Sequence, residues 1–271
     1  MLDMALKKIE EKQIIVYQSL FRLMDEIYKS ITITTGSTLI TAMILLHKFI
    51  VSHFTTFNQM DFQHKVFYIS ASMLSSLKIN NLMIPQLQMA EIASKIILRK
   101  CNRLKAIAEK NNQSFTMPEI NKTEIGNQIA AAEEDILISI NFDINIDLPF
   151  SFLAKINSYL KTKFPKLSKE LFKLILDLIG NSYALPVSLF FNPNTIVLAN
   201  LCNLYTKFNY INIDEMRSLS DYPVSLDDAM KCANILRLCS PISDGHGENK
   251  NEGVAHPPQT ESMKPIMDIK G

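Results

Sequence analysis

Lys78 and Glu133 each lie at the rim of an otherwise apolar helical stripe, where a charge has to be explained. Apolar spacing predicts a helix over Phe62–Lys78 with Phe62, Val66, Met73, Leu74 and Leu77 on its face and Lys78 at the edge. A second helix is predicted from Asn121, an N-cap answered three residues later by Glu124, with Ile125, Ile129, Ala132, Ile136 and Ile140 recurring at helical spacing. At about 100° per residue, Glu133 falls on the flank of that stripe beside Leu137, Glu134 points away and Asp135 lies off the other side. Two plainer explanations compete with a site role. A terminal Lys favours the helix dipole, and a flanking Glu is ordinarily solvated.

The other reactive side chains lack the arrangements that chemistry needs. The four cysteines, Cys101, Cys202, Cys232 and Cys239, form no C-x-x-C pair and are expected to be reduced, mostly buried thiols. The five histidines have no metal-ligand spacing, and His47 is expected to be structural. The sequence shows no Gly-rich phosphate loop, nucleophile elbow or kinase signature. No enzyme activity, metal or cofactor is therefore expected, and the chemistry should belong to a partner.

Composition bounds the class. With 271 residues and 47% apolar content, the chain can bury one large core or two smaller ones, and two are expected. Lys plus Arg (28) nearly balances Asp plus Glu (27), so no global positive field exists to hold nucleic acid through its phosphates. The longest apolar run, Leu39 to Leu46, is far shorter than the ~20 residues of a membrane span. Met1 to Glu11 mixes acids with lysines and has no signal-peptide core, so a soluble, intracellular protein is expected.

Helical periodicity dominates, and hairpin signals are absent. A first helix is predicted over Gln13–Ser30, burying Ile14, Tyr17, Leu20, Phe21, Met24 and Ile27 or Tyr28. A basic helix is predicted over Gln86–Glu109, with Lys95, Arg99, Lys100, Arg103 and Lys105 beside an apolar face of Leu87, Ala90, Ile96 or Ile97, Leu104 and Ile107. It is either a solvated basic face or a contact for an acidic surface. Pro149 marks a break around Asp147–Phe150. Further on, Ser168 and Ser225 are expected caps, and Asn192-Pro193 is a start signal with Pro at the first helical position. From Pro241 onward Gly, Pro and charge accumulate without periodicity, as in a disordered tail. The expected layout is 1–147, 148–240 and a tail over 241–271.

Three segments in order carry a family resemblance between Gly36 and Phe152. Thr41-Ala-Met-Ile-Leu-Leu-His47-Lys48-Phe49 resembles the cyclin-box helix that ends in His-Arg-Phe. Ala71-Ser-Met-Leu-Ser-Ser-Leu-Lys78 resembles the small-residue helix that ends in Lys. The stretch from Glu133 through Phe142-Asp143-Ile144 to Pro149 resembles the Glu that precedes an apolar helix and a Phe-Asp-Leu end. The chain is closest in this to the transcription-type cyclins K, L and T. It departs from them at Ile79-Asn80-Asn81, where the family carries Val-Glu-Glu, and at Leu148-Pro149-Phe150, where the family carries His-Pro-Tyr. Downstream, Asn181-Ser182, Ser188-Leu189 and Phe191-x-Pro193-x-x-Ile196 resemble a second, more divergent box.

The resemblance implies an all-α fold of two consecutive five-helix cyclin boxes with an N-terminal helix and a flexible tail. It implies a regulatory subunit that binds and activates a cyclin-dependent kinase, one phosphorylating the C-terminal domain of RNA polymerase II, and a nuclear or nuclear and cytoplasmic location. RNA polymerase II and transcription or splicing factors are further implied partners. By that resemblance Lys78 and Glu133 hydrogen-bond the kinase backbone leading into its αC helix, and Leu137, Phe142 and Ile144, with Ile79 at the rim, take an αC side chain. The substrate-docking patch of cell-cycle cyclins would fall at Tyr17-Gln18-Ser19-Leu20-Phe21, where its Arg is missing. Alternatives are a cell-cycle cyclin and a DNA-binding factor like transcription factor IIB, which would be expected to show a basic surface and a zinc ribbon.

Overall fold

The structure, a computed structural model, describes residues 11–32, 35–205 and 212–239. Among these the chain is all-α, without strands. Its helices are α1 (Glu11–Lys29), α2 (Gly36–Ser52), α3 (Phe54–Gln59), α4 (Phe62–Ile79), α5 (Gln86–Lys110) and α6 (Lys122–Ser139). They continue as α7 (Phe150–Lys163), α8 (Ser168–Ser182), α9 (Pro193–Tyr205), α10 (Ile213–Ser218) and α11 (Leu226–Cys239), with a 3₁₀ turn, Pro186–Leu189, before α9. The tail expected over 241–271, and the N-terminal residues read for a leader, lie outside the described residues. No helix of the described chain is long and apolar enough to cross a membrane.

Side-chain caps start three helices where their chemistry predicts. Asn121 Oδ1 accepts from the N–H groups of Thr123 and Glu124 at 3.0 and 3.2 Å, opening α6. Asn192 Oδ1 accepts from Thr195 N–H at 2.8 Å at the start of α9, and Ser225 Oγ from Asp228 N–H at 3.3 Å at the start of α11. Ser168 is the exception: Leu167 takes the N-cap of α8, and the Ser168 hydroxyl donates to the Pro165 carbonyl at 3.3 Å.

Asparagine does the work of glycine at three C-termini. Asn81, Asn112 and Asn141 follow α4, α5 and α6 with φ of 56, 54 and 51°. In each case the next residue's N–H reaches back five positions, as Leu82 to Leu77, Gln113 to Ala108 and Phe142 to Leu137, at 2.8 to 2.9 Å. That is the Schellman closure, which needs a left-handed residue just past the helix, and Asn is the residue after Gly that tolerates it best. The departure at Asn80-Asn81 is thus a helix stop. Asn80 Nδ2 also donates to the Ser76 carbonyl at 2.8 Å.

Two cores form. The first gathers buried residues of α1 to α6 and the second those of α7 to α11 and the 3₁₀ turn. α2 serves both: Met43, Leu46 and Ile50 join the first, while Ile40 and Ile44 join the second. Its Leu39–Leu46 run is apolar on every side because both sides are covered. α4 is the centre of the first half, with every residue from Ile69 to Leu77 buried. Its Ala71, Ser70, Ser72, Ser75 and Ser76 are small enough for α1, α2, α5 and α6 all to pack on it. α9 plays that part in the second half. The polarity of its Asn200 is satisfied internally, by Ser182 Oγ at 2.8 Å and the Ile196 carbonyl at 2.9 Å.

Two expectations need correction. On α5 the buried stripe runs through Met89, Ala90, Ala93, Ile96 and Ile97, but Leu87 in the first turn is exposed, and so are Leu104 and Ile107, because the C-terminal half of the helix outruns the core it packs on. The short helices α3 and α10, and α7 after Pro149, were not read from the sequence.

Candidate functional site

The residues proposed from sequence come from the end of α4, the last turns of α6 and the turn that follows it. Asp61 caps α4 by accepting from His64 N–H at 2.9 Å, which sets the register that brings Lys78 to the last turn. On α6 the stripe Ile125, Ile129, Ala132, Ile136 and Ile140 is buried as predicted. Glu133 lies beside it at 9% exposure, deeper than a flanking position suggests, while Glu134 is exposed.

Glu133 is buried because it has partners. Lys78 Nζ donates to Oε1 at 2.9 Å and Oε2 at 2.7 Å, and the Ser75 hydroxyl donates to Oε1 at 3.0 Å. Read from sequence as separate charges at two rims, Lys78 and Glu133 are one ion pair bridging α4 and α6. The pair is asymmetric. The Glu133 side chain is 12% exposed and that of Lys78 is 50% exposed, so the ammonium keeps a face toward solvent and the carboxylate does not.

The apolar members divide. Leu137 and Ile79 are half-buried against the first core. Phe142 and Ile144 are exposed, at 63% and 47%, and join neither core. The turn that carries them is well fixed. Phe142 N–H donates to Leu137 O at 2.8 Å, Ile144 N–H to Phe142 O at 2.9 Å, and Lys48 Nζ to the carboxylate of Asp143 at 3.2 Å. Phe142 has φ of 56°, directly after Asn141 at 51°. A left-handed backbone is uncommon for a bulky residue, and such strain persists only where surrounding contacts impose it. Phe142 is therefore held, at a cost, in an exposed position.

Sequence reasoning missed Ser75, Asp143 and Lys48. Ser75 was legible, since it precedes Lys78 by three residues and so shares its face, and a hydroxyl inside a buried helix needs an acceptor. The Lys48–Asp143 contact joins residues 95 apart and left no local signal.

His47 is fully buried, as its structural assignment requires, and stands edge-on to Tyr17 with ring centroids 5.4 Å apart. Neither ring nitrogen has a hydrogen-bond partner among the described residues, and burial pushes its pKa down to about 3. All four cysteines are free, and burial pushes the Cys232 thiol up to about 12. No protein-family model matches the chain, and no curated protein matches it.

Proposed function

We propose that this chain is a regulatory cyclin subunit that binds and activates a cyclin-dependent kinase acting on the C-terminal repeats of RNA polymerase II in the nucleus. The observation that carries this is the Lys78–Glu133 pair on the end of α4 and the flank of α6, next in sequence to exposed Phe142 and Ile144. These are the residues that resemble the family's kinase-contacting set. The order of helices supports it too. One helix, α1, precedes five, α2 to α6, around the first core, and five more, α7 to α11, build the second.

On this reading the chain performs no chemistry. It holds the kinase's αC helix inward, so that the αC glutamate pairs with the lysine that orients ATP. Interface energy supplies the shift toward that active conformation. The half-exposed Lys78 ammonium donates to kinase backbone carbonyls, and Glu133 aims the ammonium. Phe142, Ile144 and the exposed edges of Leu137 and Ile79 receive an apolar αC side chain.

The test is to purify the chain from its own cells, identify any kinase that comes with it, and measure phosphorylation of a peptide of polymerase C-terminal repeats with and without the chain. Stimulation dependent on the chain is expected. Salt-sensitive retardation of DNA with no associated kinase would overturn the proposal in favour of a factor like transcription factor IIB.

A further inference from the structure

α5 carries its apolar stripe beyond the core. Met89, Ala93 and Ile97 are buried to 1% exposure or less. At about 100° per residue, Leu104 and Ile107 continue that stripe, yet they are 40% and 55% exposed. Residues 98–110 span roughly 20 Å at the helical rise, and in this stretch only Ala108 is buried and Cys101 half-buried.

Charge concentrates on the same overhang. Between Lys95 and Lys110 there are six basic side chains and one acid, Glu109, in a chain whose charges otherwise nearly balance. Lys95 meets Glu91 at 3.0 Å, Arg99 meets Glu26 of α1, and Lys100 lies 5.7 Å from the centre of the Phe62 ring. Arg103 and Lys110 meet no carboxylate among the described residues, and Lys105 reaches Glu109 only at 3.8 Å. By helical angle, Arg103 and Lys110 flank the Leu104–Ile107 stripe on one side, while Lys105 points away from it with Leu98. Because Phe62 begins α4 and Lys78 all but ends it, the overhang lies near the opposite end of that helix from the Lys78–Glu133 pair, about 24 Å along its axis.

The kind of partner follows from what fits this face. Single-stranded nucleic acid is held by aromatic platforms, and α5 has no aromatic residue. A bilayer surface takes a broad apolar face rich in Trp, Phe or Leu, whereas this stripe offers two aliphatics and the third, Leu98, points away from them. A second copy packed face to face would set these cations against each other. We infer that the distal half of α5 is a docking surface for an acidic amphipathic segment of another protein. Leu104 and Ile107 take its bulky apolar side chains, and Arg103 and Lys110 take its carboxylates. This rests on α5 alone and is independent of the kinase assignment.

The experiment uses the full chain and four probes. These are a labelled helical peptide with Leu at helical spacing flanked by Glu, a scrambled peptide of the same composition, an RNA oligonucleotide of matched charge, and phosphatidylserine vesicles. The patterned peptide should bind in the micromolar range, weaken with added salt, and bind at least about tenfold more tightly than the scrambled one, the discrimination that one apolar anchor typically carries. Leu104→Ser, Ile107→Ser and Arg103→Glu should each cost about tenfold in that affinity. Lys78→Ala should leave it unchanged, and the exposed positions should leave melting temperature unchanged. Equal binding of the two peptides, no binding of either, indifference to Leu104→Ser, or tighter binding of the vesicles or RNA would each overturn the inference.

Discussion

Lys78 and Glu133 meet across two helices, with the ammonium within 2.9 Å of both carboxylate oxygens and the Ser75 hydroxyl completing the set at 3.0 Å. The two charges therefore cannot be removed as independent surface groups. Each deletion leaves a different orphan, and the orphan differs in how much water it can recover.

Lys78→Ala strands a carboxylate that is 12% exposed with Ser75 as its remaining donor, whereas Glu133→Ala releases an ammonium already half in water. Full burial would make the first loss severe. Screening through the exposed Lys side reduces it to about 1 to 2 kcal/mol of folding stability. Glu133→Ala should cost about 1 kcal/mol, and Glu134→Ala, which is exposed, no more than about 0.5 kcal/mol. If the chain activates a kinase as proposed, that stimulation should fall at least about tenfold with Lys78→Ala, since a contact worth 1.4 kcal/mol is a factor of ten. Thermal melting and kinase assays on the three variants decide this, and identical behaviour of all three would leave the pair without either role.

Phe142 tests whether strain at the turn serves binding. Its left-handed backbone favours glycine, and its 63% exposed ring contributes little to the core. Phe142→Gly should therefore leave the free chain as stable as before or up to about 1 kcal/mol more stable, while reducing kinase stimulation. Asn141→Ala, one residue earlier, should cost about 1 kcal/mol by removing the side chain that tolerates the Schellman turn. A loss of stability in Phe142→Gly, measured by denaturant titration, would mean that the ring packs on the chain itself.

Much of this was legible because local chemistry decided it. The Asn121 cap and the stripe on α6, the Asn192-Pro193 start of α9 and the buried side of α1 each follow from side chains within a few turns. Where packing decided, the sequence was silent or misleading. Leu104 and Ile107 repeat the α5 pattern faultlessly and are exposed because the core stops before them. Ser168 has the type of a cap and is displaced by Leu167. The meeting of Lys78 with Glu133 depends on how α4 crosses α6, which neither helix encodes alone.

The α1 segment Tyr17-Gln18-Ser19-Leu20-Phe21 offers no docking patch. Tyr17 and Leu20 are core residues at 6% exposure, and Gln18 Nε2 donates to the Cys239 carbonyl at 3.0 Å, tying α1 to the end of α11. Peptides bearing Arg-x-Leu should neither bind measurably by calorimetry nor compete with the substrates of the proposed kinase partner. Micromolar binding would place the chain with cell-cycle cyclins.

His47 makes folding sensitive to acid. Burial lowers its pKa from 6.5 to about 3, so below pH 6.5 the unfolded chain takes up a proton that the folded chain refuses. Stability is complete above pH 6.5, declines as pH falls toward 3 and returns as pH rises. At pH 5 this one residue should cost about 2 kcal/mol, from 1.36 kcal/mol per unit below 6.5. The carboxylates add their own acid dependence, but His47→Leu shares it, so the difference between the two proteins isolates the imidazole. With ring nitrogens that lack partners among the described residues, an apolar side chain of similar size should be tolerated at pH 7. The unfolding free energy of His47→Leu relative to the parent should then rise by about 2 kcal/mol between pH 7 and pH 5. Parallel pH profiles from urea titrations would show that His47 is protonated, or solvated, in the folded chain.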